Sequence, residues 1–133
     1  MQNTWKNKTM EKSETRFRLR MDDKVVGYSK KINTSTFYSK DNYGWTGYKI
    51  ESNQFDYFTG SFDLNRRAIY ADDIVAFKTP QEHQYGLIVF DDVLQMFQLL
   101  SVDGEELIAD NALTYLDEHR YVWKSYRFIQ NPL

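Results

Sequence analysis

Residues 74–90, IVAFKTPQEHQYGLIVF, hold two apolar runs separated by a polar break. The first run, residues 74–77, is short, and Thr79-Pro80 ends it because proline has no N–H to donate to a sheet. The second run, residues 85–90, is uninterrupted, which is typical of a central strand. We expect these two strands to form the centre of the core. The residues expected to contribute most to that core are Ile69, Ile74, Val75, Phe77, Leu87, Val89, Phe90, Phe97 and Leu99.

A hairpin is predicted upstream of this pair, between residues 16 and 32. Residues 16–20, RFRLR, alternate, so a strand places the three arginines on one face and Phe17 and Leu19 on the other. Asp22-Asp23 then supplies a turn through side-chain hydrogen bonds, and residues 24–32 return as the second strand.

Further strands are predicted between the hairpin and the core pair. Trp45, Tyr48 and Ile50 mark one strand after a turn at residues 42–44. Residues 54–59 alternate as another strand, which Gly60 closes.

The C-terminal part of the chain leaves two interpretations open over residues 105–119. Asp103-Gly104 favours a two-residue hairpin turn between strands at 93–102 and 105–109. Alternatively, a helix starts at Glu105, because Leu107, Ile108, Leu113 and Leu116 can share a helical face. We predict the hairpin, followed by a short helix over residues 111–119 capped by Asp110 and a final strand over 121–129.

The composition favours a single β-rich domain. The chain has 133 residues, of which 41% are hydrophobic and 17% aromatic. A chain of this length can bury one core, and aromatic side chains suit the half-buried surface of a sheet. Residues 1–13 lack hydrophobic periodicity, so we predict a flexible N-terminal arm there and one domain over residues 14–133.

The cellular compartment is predicted from what the sequence lacks. There is no cysteine, which excludes a disulfide scaffold and a thiolate metal site and suits a reducing cytoplasm. Neither a signal peptide nor a membrane span is expected, because no stretch has the required apolar length. The predicted location is cytoplasmic.

Charge is distributed unevenly along the chain. Residues 1–40 hold ten Lys/Arg against four Asp/Glu, a net charge of +6, whereas residues 41–133 hold seven against fifteen, a net charge of −8. The two portions can attract each other within one fold. The same pattern also fits a basic arm for nucleic acid or an acidic face for a basic protein.

The most specific sequence signal lies in residues 57–75, YFTGSFDLNRRAIYADDIV. A Thr-Gly step, a turn around an Asp and an Asn, and an Ile-Tyr step are followed by Asp-Ile-Val and, later, by Tyr85-Gly86 and an apolar strand. In this order of motifs, the chain resembles the YopX-like family of phage and prophage proteins. Arg16-Phe17-Arg18 and Asn131-Pro132 extend the resemblance to nearly the whole chain. The central matches are Thr59, Gly60, Asp63, Asn65, Ile69, Tyr70, Asp73, Ile74 and Val75.

The chain departs from the family pattern where glycines are usual. The family's Asn-Gly is Asn65-Arg66 here, its Glu-Gly is Ala71-Asp72, and its Ile-Gly-Asn is Ser125-Tyr126-Arg127. Because glycine takes positive φ freely, these losses predict a different turn geometry in a divergent member. The resemblance implies a phage- or prophage-encoded protein and supplies no catalytic residues. The resemblance also implies a partly open β-barrel with SH3-like character in its second half. The sequence patterns themselves predict a mainly β single domain with one short helix.

Candidate catalytic and metal-ligating residues are few. His83 and His119 are the only histidines and stand 36 positions apart, so a metal cluster or a catalytic dyad has little material. Asp22-Asp23, Asp72-Asp73 and Asp91-Asp92 lie where turns are expected, and neighbours on a strand point to opposite faces, so we assign them turn and capping roles. No phosphate-binding or zinc-protease motif is present in the sequence. We predict a protein that is not an enzyme and has no cofactor or metal.

Two surfaces are left as candidate sites. A basic strip on the first hairpin is the candidate nucleic-acid surface, with aromatic residues nearby for base stacking. Its residues are Arg16, Arg18, Arg20, Lys24, Lys30 and Lys31. Aromatic residues with carboxylates around them are the candidate protein-binding surface. Its residues are Tyr43, Trp45, Tyr48, Asp72, Asp91 and Asp92.

Three functions follow from these surfaces. The first is a non-catalytic protein-binding module that acts on a host or phage factor in the bacterial cytoplasm. The second is a nucleic-acid-binding module that uses the basic N-terminal third, and the third is an enzyme with an unrecognised site. Membranes are not expected among the partners, and the sequence leaves the oligomeric state open.

Overall fold

The computed structural model describes residues 14–63, 65–80, 83–118 and 123–125. They form antiparallel sheets with one short helix, and within these ranges no barrel is closed and no helix is long and apolar enough to cross a membrane. The elements are β1 (Glu14–Met21), β2 (Lys24–Ile32), β3 (Ser35–Ser39), β4 (Gln54–Phe62), β5 (Ala68–Tyr70), β6 (Ile74–Lys78), β7 (His83–Asp91), β8 (Met96–Leu100), β9 (Leu107–Ala109), α1 (Ala112–Glu118) and β10 (Trp123–Ser125).

The chain divides into two compact units, Met1–Phe55 and Asp56–Leu133. We call them unit 1 and unit 2. The arm predicted at residues 1–13 lies outside the described residues, as does most of the strand predicted at 121–129. The prediction of one domain over residues 14–133 stays a prediction.

Unit 1 is built on the predicted hairpin, which the structure confirms. Strands β1 and β2 pair antiparallel, with Arg16 opposite Lys30 and a bulge between Leu19 and Arg20. Asp22 and Asp23 both take positive φ, 49° and 71°, as the backbone of a two-residue hairpin turn requires. Strand β3, which the sequence pattern did not predict, pairs with the other edge of β2.

Residues 53 and 54 hold the Asp22-Asp23 turn in place. The Asn53 Oδ1 accepts a hydrogen bond from the Asp22 N–H at 3.1 Å, and the Asn53 amide donates to the Asp22 carboxylate at 2.9 Å. Gln54 repeats this exchange with Asp23, at 2.7 and 2.9 Å. The turn role predicted for this doublet is confirmed.

The strand predicted around Trp45, Tyr48 and Ile50 is wrong. Only Thr46 pairs there, through an isolated bridge to Tyr38. Ile50 instead lies against the backbone of β2 at Gly27, where an added Cβ would stand 2.6 Å from the Ile50 Cδ1. The bulky residues of this segment therefore resemble a strand in composition, but the segment is a loop.

Unit 2 contains the predicted core pair at the centre of a five-stranded antiparallel sheet of order β10-β6-β7-β8-β9. Val75 stands opposite Gly86, and Phe90 stands opposite Phe97. Strands β4 and β5 also pair antiparallel, and β4 continues past Gly60, which takes a φ of 88°, to Phe62. The prediction that Gly60 closes this strand is wrong.

The core of unit 2 lies on one face of the sheet beneath the helix. Its buried residues are Ile69, Val75, Phe77, Ile88, Leu99, Ala112 and Leu116. Leu87 is buried as predicted, but Ile74, Val89, Phe90 and Phe97 are only half-buried. Ile88, which the sequence analysis did not select, is 0% exposed because it shares the face of Val75 and Leu99. Every residue of the run 87–90 is apolar, so its pattern does not indicate which face is covered.

The hairpin interpretation of residues 105–119 is confirmed, with two corrections. Residues 101–106 connect β8 to β9, so the turn is longer than the two residues predicted at Asp103-Gly104. The helix is capped by Asn111 rather than Asp110, since the Asn111 Oδ1 accepts from the Thr114 N–H at 3.1 Å. His119 lies outside the described residues.

The turns keep positive φ at two positions where the YopX-like pattern has glycine. Arg66 has a φ of 64° and Asp72 a φ of 73°. Non-glycine residues adopt the left-handed conformation at both positions, and the expected difference from the family's turn geometry stays a prediction. The Asp63 carboxylate supports the first turn by accepting from the N–H groups of Asn65 and Arg67, at 2.8 and 2.9 Å.

Candidate functional site

The loop after β3 displays aromatic side chains. We call residues 40–50 the aromatic loop, which contains Tyr43, Trp45 and Tyr48. Tyr43 is 77% exposed and Tyr48 is 84% exposed, whereas Trp45 is half-buried. Both tyrosines of the predicted protein-binding surface therefore reach solvent.

Asp41 organises the start of the aromatic loop. One oxygen of its carboxylate accepts hydrogen bonds from the Tyr43 N–H at 2.8 Å, the Gly44 N–H at 3.0 Å and the Ser39 hydroxyl at 3.0 Å. The N–H groups of Gly44 and Tyr43, followed by the Ser39 hydroxyl, lower the pKa of Asp41. Asn42 takes a φ of 72° and donates its N–H to the Ser39 hydroxyl at 2.8 Å. These bonds fix the backbone that carries Tyr43.

Trp45 anchors the middle of the aromatic loop to the hairpin. Its ring lies 4.5 Å from the Lys30 Nζ and 5.4 Å from the Arg16 guanidinium, and those two residues are cross-strand neighbours. Cations at such distances are attracted by the ring face. Thr46 follows with two backbone hydrogen bonds to Tyr38, at 2.8 and 2.9 Å. The loop is therefore tied to β1, β2 and β3.

A cleft of about 470 Å³ lies in the aromatic loop. Its walls are partly aromatic and partly charged, and they include Tyr38, Lys40, Trp45, Tyr48, Lys49 and Ile50. Its aromatic and aliphatic walls can pack against a side chain of a partner, and Lys40, Asp41 and Lys49 add charges of both signs. No pattern in the sequence signalled this cleft, because it depends on the fold of the loop onto the hairpin.

The basic strip predicted on β1 is wrong for two of its three arginines. Arg18 is 0% exposed and Arg20 is 7% exposed, with the Arg20 guanidinium 3.1 Å from the Asp23 carboxylate. Arg16 is half-buried and bonded to Glu14 at 2.9 Å. The alternation of RFRLR separates two faces but does not show that solvent covers either of them.

The lysines of the predicted strip differ in exposure. Lys24 and Lys31 are exposed, whereas Lys30 is half-buried against Trp45. The structure therefore places two lysines of this strip in solvent.

The predicted acidic residues belong to turns of unit 2. Asp91 accepts hydrogen bonds from the N–H groups of Val93 and Leu94, at 2.8 and 3.2 Å. Asp92 is exposed, and the N–H of Asp72 donates to the Ile88 carbonyl at 2.6 Å. The turn roles predicted for both doublets are confirmed. The exposure of Val93, 89%, and of Leu94, 55%, was not foreseen because turn tips are usually polar.

The residues that carry the family resemblance hold the fold of unit 2. The Thr59 hydroxyl donates to the Ile69 carbonyl at 2.7 Å, and the buried Asp73 carboxylate accepts from the Tyr70 N–H at 2.9 Å. Within the described ranges, no group of three or more His, Asp or Glu side chains is placed to hold a metal ion. The contacts of Thr59 and Asp73 therefore support strand pairing and a turn.

Comparison with known proteins returned no similarity: no protein-family model, no curated protein and no solved structure matches the chain.

Proposed function

We propose that this chain is a non-catalytic protein-binding module and that the aromatic loop is its contact surface. The observation that carries the proposal is the exposure of Tyr43 and Tyr48 on a loop whose backbone is fixed by Asp41. Tyrosine is enriched at the energetic centres of interfaces, since its ring buries a large area and its hydroxyl still finds a hydrogen bond.

The fixed backbone of the aromatic loop favours binding because little conformational entropy is lost when a partner binds. A flexible loop loses conformational freedom when a partner orders it, and that loss weakens the complex. Here Asp41, Trp45 and Thr46 hold the loop before any partner arrives. The two tyrosines are then presented with only their side chains left to order.

The wider assignment rests on the resemblance of residues 57–75. We propose a divergent YopX-like protein, encoded by a phage or prophage, that acts on a host or phage factor in the bacterial cytoplasm. Support comes from Arg66 and Asp72, which keep positive φ where the family pattern has glycine. The five-stranded antiparallel sheet of unit 2 supports the partly open barrel with SH3-like character as part of the same proposal.

Affinity capture from phage-infected bacteria tests the proposed function. The wild-type chain is compared with a Tyr43→Ser/Tyr48→Ser variant and with a Tyr85→Ser control, which removes a tyrosine that is 58% exposed on β7 of unit 2. We expect the loop variant to lose the captured protein and the control to keep it. Equal capture by all three proteins would overturn the assignment of the aromatic loop.

Nucleic-acid binding is the alternative proposal, and the exposed Lys24 and Lys31 favour it. Nuclease treatment of the same lysate separates the two functions, since a contact through phosphates is lost with the nucleic acid and falls steeply with salt. An enzyme with an unrecognised site is the third alternative. None of the contacts described above supports that alternative.

A further inference from the structure

The outer edge of β3 presents backbone groups toward solvent. Both hydrogen bonds of Tyr38 run to Thr46, so the N–H and C=O of Tyr38 point away from β2. Backbone groups of alternate strand residues point the same way, so those of Thr36 also point outward. Thr36 is exposed, and β3 is the end of the strand order. In the part of the chain that the structure describes, no strand pairs with this edge at Thr36.

The aromatic loop covers the edge only at Tyr38. After the bridge at Thr46, the Thr46 hydroxyl accepts a hydrogen bond from the Tyr48 N–H at 3.2 Å, and the chain leaves the edge. Proteins usually protect an exposed edge with lysine, proline or a bulge on the edge strand. The β3 sequence STFYS has no charge and no proline. Beside the cleft of the aromatic loop, β3 therefore offers a further strand the outward N–H and C=O of one residue, Thr36.

The charged residues near the β3 edge indicate which kind of strand can pair with it. Lys31 is the cross-strand partner of Thr36, and Lys40 directly follows β3; both are exposed. An acidic strand on this edge would be attracted by the positive charges of Lys31 and Lys40.

We propose that an extended acidic peptide segment of the partner adds to β3 as a further strand. It pairs with the outward N–H and C=O of Thr36 and places carboxylates near Lys31 and Lys40, while the neighbouring cleft takes a side chain. Strand addition of this kind draws affinity from backbone hydrogen bonds and specificity from side-chain pockets. The inference rests on the proposed protein-binding function and names the chemistry of its partner.

An NMR titration of the full chain tests the inference with two capped heptapeptides. TEVEVET is the acidic probe and TKVKVKT its charge-reversed control. We expect TEVEVET to shift the Thr36 amide resonance and slow its hydrogen exchange at least tenfold, with TKVKVKT binding at least tenfold more weakly. Shifts confined to Tyr43 and Tyr48, without a change at Thr36, would overturn the strand addition.

Three variants complete the design. Thr36→Pro removes the outward donor at an edge position that tolerates proline, and Thr36→Val keeps the donor as the matched control. We expect the proline variant to bind TEVEVET at least tenfold more weakly and the valine variant to bind within twofold of wild type. Lys31→Glu/Lys40→Glu should also weaken binding at least tenfold. If circular dichroism shows that Thr36→Pro is unfolded, the double lysine variant replaces it as the test. Wild-type affinity for TEVEVET in a folded Thr36→Pro, or in the double lysine variant when it replaces Thr36→Pro, would refute the inference.

Two outcomes identify the alternatives. Concentration-dependent dimerisation that protects the Thr36 amide without any peptide would make a second copy the occupant and overturn the acidic segment. If a folded Thr36→Pro still captures the partner that Tyr43→Ser/Tyr48→Ser loses, the proposed function stands and the strand addition is wrong. If both variants keep the partner, both proposals fail.

Discussion

Gly86 is the position where one added methyl group should disturb the core most directly. An added Cβ at Gly86 would stand 2.7 Å from the Leu99 Cδ1, 3.0 Å from the Leu99 Cγ and 3.3 Å from the Leu100 carbonyl oxygen. Leu99 is 0% exposed, so its side chain has no solvent to move into. We therefore predict that Gly86→Ala destabilises the protein through overpacking.

The magnitude is a difference of two effects. Overpacking a core by one methyl group costs about 1–3 kcal/mol. Replacing glycine by alanine at a position without positive φ raises the free energy of unfolding by about 0.4–1 kcal/mol, because the unfolded chain loses conformational freedom. We expect a net loss of about 1–2 kcal/mol in the free energy of unfolding. In urea denaturation followed by circular dichroism this corresponds to a midpoint lowered by about 1 M.

Two further variants make the reasoning on Gly86 refutable. Gly47→Ala is the matched control, since an added Cβ there meets no atom within 4 Å, and it should be neutral or slightly stabilising. Leu99→Ala alone should cost about 2–5 kcal/mol, but in that background Gly86→Ala should no longer destabilise. A neutral Gly86→Ala in the wild-type background, or an unchanged cost beside Leu99→Ala, would show that the contact is not the cause.

Three other predictions follow from the described contacts. Ile88→Asp should abolish cooperative thermal unfolding, because Ile88 is fully buried and an unpaired buried carboxylate costs several kcal/mol, whereas Val89→Asp at the half-buried neighbour should leave a cooperative transition at a lower temperature. Because hydrogen bonds lower the pKa of Asp41 in the folded state, its support of the aromatic loop is fully present above the ordinary value of 3.8 and is lost as the pH falls through the lowered pKa. The NMR shifts of the amides that bond to Asp41 should titrate below pH 3.8 in wild type and not at all in Asp41→Ala; a midpoint above 3.8 would contradict this assignment. Asn111→Ala should cost about 1 kcal/mol in chemical denaturation through loss of the helix cap, and Asp110→Ala should cost less; the reverse order would restore Asp110 as the cap.

The strands that the sequence predicted correctly are those with strong local signals. Residues 16–32 combine alternation with a two-aspartate turn, and β6 and β7 are short apolar runs separated by a proline-containing break. Strand β3 was missed because STFYS has no clear alternation of apolar and polar residues. The segment around Trp45 was misassigned because large side chains suit both a strand and a loop that packs on a sheet.

Burial of the arginines could not be predicted from the strand pattern. A period of two tells which side chains share a face, but a second layer of the fold decides whether that face is covered. Arg18 therefore reads as a surface residue in the sequence and is fully buried in the structure.

The candidate site was predictable in composition and not in geometry. The sequence analysis selected Tyr43, Trp45 and Tyr48 by residue type, and the structure exposes both tyrosines. The cleft depends on contacts between residues distant in sequence, such as Trp45 with Arg16 and Lys30. No local pattern reports a pairing of that kind.

The exchange of hydrogen bonds between Asp22-Asp23 and residues 53–54 has a consequence for the order in which unit 1 folds. Two non-glycine residues in the left-handed conformation make the isolated turn unfavourable by roughly 1 kcal/mol each, so β1 and β2 gain little from closing early. The compensating partners lie 31 residues farther along the chain. Although this hairpin is local in sequence, its turn is stabilised only after a long loop has closed. We therefore expect the hairpin to form in the same rate-limiting step in which residues 53–54 dock on the turn, and not before that step.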